Sequence, residues 1–202
     1  MVLSLNYTDK IAFFFGNTPH GNCHSTLALI RNDINTLSQG GENYLAFPRA
    51  MCLMVALDLL GKMMEGSDSI GKVGDRFKNF VRFALNPTIH GNKIGDRIWA
   101  FRNALHHSYR MHTDWTPDGS GGHTASWQFQ LIDAKAVSWL TRDESSSTII
   151  NLARLHDESE AGFQRFQTLL ASSSNVTQRQ GFESMFTKHG WMAVGTLNVV
   201  SP

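Results

Sequence analysis

From Ala50 to Met64 the chain reads AMCLMVALDLLGKMM, a run that is apolar nearly all round a helical projection. A helix without a polar face is stable only when other elements cover it on every side. This segment is therefore expected to form the central, most buried helix, with Pro48 in its first turn, where a missing N–H costs nothing. No stretch of the chain approaches the ~20 apolar residues needed to cross a bilayer.

The flanking sequence supplies elements to cover it. His24 to Ser38 places Leu27, Ile30, Ile34 and Leu37 at helical spacing, and Gly40-Gly41 follows as a stop. A third helix, about Val73 to Leu85, sets Val73, Phe77, Phe80, Val81 and Ala84 on one side and Lys78 and Arg82 on the other, and Asn86-Pro87 ends it. Asn92 can cap a fourth helix running to about Met111, whose core stripe is Ile94, Ile98, Phe101, Leu105 and Tyr109. Thr113 to Ser126 reads as a loop. After it, Trp127 to Leu131 alternates apolar and polar residues and is expected to pair with Ala136 to Leu140 in a short β-hairpin across Ile132 to Lys135. Ser145 to Ser147 offer caps for a long last helix to about Ser172, burying Ile149, Leu152, Phe163, Phe166 and Leu170, and a helical turn follows near Phe182 to Lys188. The expected fold is mainly all-α, a bundle of about five helices in one domain spanning 1–202, with 113–145 as a loop and hairpin insertion.

An apolar share of 42% with 17% charged residues excludes a highly charged disordered chain. The two cysteines, Cys23 and Cys52, sit in apolar segments away from each other and are expected to be reduced and buried. The start, MVLSLNYTDKIAFFFG, has no basic segment ahead of its short apolar run, so an intracellular, cytoplasmic protein with no membrane partner is expected.

The net charge of +1 conceals a local imbalance. From Lys72 to His112 eight basic residues face two acids, which leaves the rest of the chain at −5. A basic stretch in an otherwise acidic protein attracts phosphate locally, with Lys78, Arg82, Lys93 and Arg97 as the candidate contacting cations. A solvated helix surface is the plainer account of such a run.

The chemistry concentrates on the fourth helix. Projected at about 100° per residue, Arg102 and His106 border the core stripe, Asn103 and His107 lie on the opposite side, and Trp99 and Arg110 fall between. Arginine is a permanently charged phosphate clamp, histidine carries protons near neutral pH, and asparagine can orient either one. The sequence Arg102-Asn103-Ala104-Leu105-His106-His107 resembles the Arg-(x)4-6-His signature of the HEPN superfamily, including its polar residue after the arginine. The resemblance covers residues 20 to 112 or so. It implies a helical bundle, often a metal-independent endoribonuclease of toxin, antiviral or RNA-processing systems, with two motifs meeting at a dimer interface. By carry-over, Arg102 and His107 are the catalytic pair and Asn103 orients them. His106 and Arg110 are supporting residues, and His106 alone fits a shorter Arg-(x)3-His spacing.

The expected partners are RNA, a second copy of the chain, and an antitoxin or inhibitor protein, with no cofactor and no metal. His106, His107 and His112, with His90, do not share a helix face and read as structural or incidental. Gly91-Asn-Lys-Ile-Gly and Gly119-Ser-Gly-Gly lack the setting of a phosphate-binding loop, and no Gly-x-Ser-x-Gly nucleophile elbow occurs. Two alternatives stand beside the nuclease: a non-catalytic HEPN-like module that binds RNA or a partner, and a structural helical protein whose basic face docks an acidic protein.

Overall fold

A computed structural model describes residues 3–39, 45–85, 93–108, 112–113, 127–133, 140–142 and 148–194, with backbone alone at 107–108, 112–113, 127 and 140–142. The fold is mainly helical. Its helices are α1 (Tyr7–Phe15), α2 (Thr26–Gln39), α3 (Ala46–Glu65), α4 (Val73–Ala84), α5 (Ile94–Asn103), α6 (Leu152–Ala171) and α7 (Val176–His189). A π-helical segment, Ala104–Ser108, extends α5. The strands are β1 (Cys23–Ser25), β2 (His112–Thr113), β3 (Trp127–Ile132), β4 (Leu140–Arg142), β5 (Thr148–Asn151) and β6 (Trp191–Ala193).

The apolar run is the centre of the molecule, as its composition requires. α3 packs against α2, α4, α6 and α7, and buries Leu53, Met54, Ala56, Leu57, Leu60 and Met63 almost completely. It ends at Gly66, which adopts φ 66°, a left-handed conformation that costs glycine nothing. A Cβ at Gly66 would stand 2.5 Å from the Cα of Gly181, so α7 packs against this helix end backbone to backbone. Around α3 the phenylalanines meet edge to face: Phe14 on Phe182 at 5.5 Å, Phe80 on Phe166 at 5.7 Å and Phe101 on Phe129 at 5.3 Å. Each such ring, fully buried, contributes about 1.5–3 kcal/mol, and edge-to-face contact adds roughly 0.5–1.5 kcal/mol. No helix among the described residues is long and apolar enough to cross a membrane. Cys23 and Cys52 are both free thiols, the first buried and the second half-buried.

Four differences from the sequence expectation have physical causes. First, α1 forms although its short apolar run carries no long periodicity: Asn6 caps it by accepting from the Asp9 N–H, and Ile11, Phe13, Phe14 and Phe15 bury themselves in the core. Second, the turn expected near Phe182 is a full helix, α7, which buries Phe182, Met185 and Phe186. Third, the expected hairpin is replaced by a four-stranded sheet in the order β2-β3-β5-β4. β3 pairs in parallel with β5 (Phe129 opposite Thr148), and β4 pairs antiparallel with the other edge of β5 (Leu140 opposite Ile150), so β3 and β4 never touch as partners. Residues 134–139, the rest of the expected second strand, lie outside the described residues, as does the expected loop at 114–126. Fourth, the long last helix starts later than Ser147. Thr148-Ile149-Ile150 is β-branched throughout and suits a strand, and Asn151 caps α6 by accepting from the Arg154 N–H at 3.4 Å.

Candidate functional site

α5 reaches the site along two walls. One face packs on α4, where Trp99 meets Phe77 with ring centroids 5.5 Å apart, and the buried stripe Ile94, Ile98 and Phe101 enters the core. Its C-terminal end meets β2 and β3, and the π segment after it touches α3. Being covered on more than one side explains why Asn103, placed by projection on the polar side, is buried with 9% exposure.

Arg102 is half-buried. Its Nη1 donates to the Asn103 Oδ1 at 3.2 Å, and its guanidinium carbon lies 5.1 Å from the centre of the Trp99 ring. Burial lowers the guanidinium from its usual value, and the Asp58 carboxylate of α3 opposes that shift. Arginine keeps its charge through a perturbation of this kind. Asp58 is the lone carboxylate in the apolar run, and its Oδ1 is buried without a hydrogen-bond partner among the described residues.

Directly after Asn103 the helix changes register. The Ala104 N–H is shared between the carbonyls of Ala100 and Phe101, and Ala104–Ser108 continues as a π-helix, carrying the half-buried His106 and position 107. A π segment bonds each residue to the fifth along, and such segments recur at functional sites. In an ideal α-helix positions 102 and 107 stand about 140° apart. Position 107 lies within the π segment, where that spacing does not apply. The His107 side chain and the whole of Arg110 lie outside the described residues.

No family model matches the chain, and no curated protein or solved structure does.

The basic surface is smaller than its count in the sequence. Lys78 lies 3.7 Å from Asp75 and 3.5 Å from Asp96, and Arg82 lies 3.5 Å from Asp96, so one acid of α5 holds two cations of α4. Arg76 is interior, 2% exposed, with Nη1 donating to the Ser69 carbonyl. Lys93 is exposed and Arg97 half-exposed at the start of α5, without an ion pair among the described residues. Two shallow grooves, of 290 Å³ beside Tyr7, Gln167 and Arg179 and of 320 Å³ beside Asn17, His24 and Asn32, do not include the Arg102 site. Among the described residues no group of three His, Cys, Asp or Glu side chains is close enough to hold a metal ion.

One constellation escaped the sequence reading. Arg49 of α3, 5% exposed, donates from Nη1 to the Asp133 Oδ2 at 2.7 Å, and its Nη2 is 3.1 Å from the His156 Nδ1 on α6. That contact is attractive only when Nδ1 is bare, which fixes His156 as the neutral Nε2–H tautomer. Burial lowers the His156 pKa, Arg49 and Arg31 lower it further, and Glu160 and Asp157 oppose them. One turn along α6, Glu160 takes a two-pronged bond from Arg31 of α2, at 2.9 and 2.5 Å. The partners of Arg49 are 84 and 107 residues away, a separation no local spacing reveals. The available signal was Arg49 itself, a cation at the start of the apolar run.

Proposed function

We propose that this chain is a metal-independent endoribonuclease that cleaves single-stranded RNA by attack of a ribose 2′-OH on the adjacent phosphodiester. The observation that carries the reading is the Arg102–Asn103 hydrogen bond placed at the point where α5 widens into the π segment bearing His106 and His107. In this reaction the 2′-oxygen forms a bond to phosphorus, the bond from phosphorus to the 5′-oxygen breaks, and a 2′,3′-cyclic phosphate and a 5′-OH result. The nucleophile is tethered beside its target, so only proton transfer and charge stabilisation remain to be supplied. His107 takes the 2′-OH proton or gives one to the leaving oxygen, Arg102 offsets charge on the phosphoryl oxygens, and Asn103 holds Arg102 in register. His106 and Arg110 support the pair, and Lys93 and Arg97, with Lys78 and Arg82, steer the RNA backbone. A second copy of the chain, its motif helix facing the first, supplies the complementary acid or base. The HEPN resemblance of the motif further suggests a cytoplasmic toxin–antitoxin or defence setting with an inhibitor protein.

A second reading has its own support. The neutralisation of Lys78 and Arg82 by Asp96 and Asp75 shrinks the phosphate-attracting surface, which favours the non-catalytic alternative in the form that binds a protein partner. Purified protein incubated with a mixed RNA pool, with and without EDTA, separates the two. The nuclease gives fragments ending in cyclic phosphate and 5′-OH in either buffer, and both Arg102→Ala and His107→Ala abolish them. Intact RNA, activity that depends on added Mg²⁺, or a His107→Ala loss smaller than about tenfold against the 10²–10⁴-fold worth of general acid–base catalysis overturns the proposal.

A further inference from the structure

An arginine three residues after a tryptophan on one helix is always its neighbour, and that alone gives no fixed geometry. Here the tryptophan is itself clamped. The Trp99 indole lies between α5 and α4 with Phe77 tilted against it at 54°, and a Cβ built on Gly74 would meet the indole Cζ2 at 3.3 Å. Glycine at position 74 thus lets the ring lie close against α4. The Arg102 guanidinium rests 5.1 Å from the centre of this ring. A cation held over a ring face and an anion bound along the guanidinium N–H edge use different parts of the group.

We propose that Trp99 is a positioning residue, a fixed plate that holds the Arg102 guanidinium in the plane from which it meets an RNA phosphate. Gly74 and Phe77 act one step further back by holding the plate. The inference rests on the functional reading above for its phosphate, but not for the contact itself. Trp99 touches no substrate and does no chemistry. Its loss acts through the orientation of Arg102, where a misplacement of about 1 Å costs up to roughly 10²-fold in rate.

The test uses the whole chain labelled with 5-fluorotryptophan. It has five tryptophans, and the Trp99 fluorine resonance is identified by its disappearance in Trp99→Phe. Arg102→Gln is expected to move that resonance. Titration with a single-stranded oligoribonucleotide carrying 2′-O-methyl groups, which binds but has no nucleophile, is expected to move it again. In cleavage assays Trp99→Leu is expected to lower kcat about tenfold or more with KM changed less than about twofold, and Trp99→Phe to restore most of the rate by restoring a ring face. Gly74→Ala, whose Cβ makes the indole give by a few tenths of an ångström without removing it, guards against a Trp99→Leu variant that fails to fold, and should shift the resonance, with any change in kcat following it. An unmoved Trp99 resonance in Arg102→Gln overturns the inference, as does equal loss in Trp99→Phe and Trp99→Leu. A resonance that moves in Arg102→Gln and with the methylated RNA, in a protein that leaves ordinary RNA intact, overturns the nuclease reading and supports the positioning role.

Discussion

The hydrogen bond from Arg102 to Asn103 can be measured as a coupling energy. A bond with one charged partner is worth about 1.5–3 kcal/mol when both groups are desolvated. Asn103 is 9% exposed but Arg102 is only half-buried, and water can take over part of its solvation in the variant. The expected value is therefore about 1 kcal/mol. Asn103→Ala alone also leaves a small void and is expected to cost about 1–2 kcal/mol, which for a chain of this size lowers Tm by roughly 2–8 °C. A urea-unfolding double-mutant cycle of Arg102→Ala and Asn103→Ala removes the void term and isolates the pair. Additivity within about 0.3 kcal/mol would refute the reasoning, because it would mean that the two side chains do not interact in the folded protein.

Three further outcomes follow from other parts of the molecule. The native pKa of His156 is lowered from its ordinary 6.5, so the native state favours the neutral ring, and stability should fall as pH drops from 6.5 toward the native value. Urea midpoints at pH 7.5 and 5.5 test this, and the slope should flatten in His156→Gln. Gly66→Ala forces a side chain into a left-handed conformation and against Gly181, and should cost about 1–2 kcal/mol or more, whereas Gly71→Ala, with open space around it, should stay within about 0.5 kcal/mol. An RNA substrate with deoxyribose at the scissile position should bind but remain uncut, checked by gel shift and gel electrophoresis side by side, and cutting there would exclude attack by the 2′-OH.

The helical body was legible because its signals are local. A run like Ala50 to Met64 has one stable environment, and the stripes of α2, α4 and α5, the last from Ile94 to Leu105, follow from spacing alone, while Tyr109 lies outside the described residues. The observed bounds of α4, Val73–Ala84, differ from the expected ones by a single residue. The sheet was not legible, because the partner of β3 is decided by a crossover: β5 reaches it only after the chain has passed through β4, and turn residues near 132–135 point to the nearest segment instead. α1 was missed because nine residues hold too little periodicity, and what stabilises them is burial of phenylalanines against distant helices. At the candidate site, Arg102 and Asn103 were visible as a pattern. The burial of Asn103, the π segment and the nearness of Asp58 all depend on what covers α5, which no projection of an isolated helix contains.

The pairing of β2 with β3 also has a practical consequence. Thr113 stands opposite Trp127, so the chain leaves the sheet and re-enters it at one point. Whatever residues 114–126 do, their length does not set the position of α5, which is held by the Phe101–Phe129 contact and by α4. A fluorescent or affinity module spliced between Thr113 and Trp127 would therefore leave and re-enter the backbone at paired positions, close in the chain to the Arg102 motif.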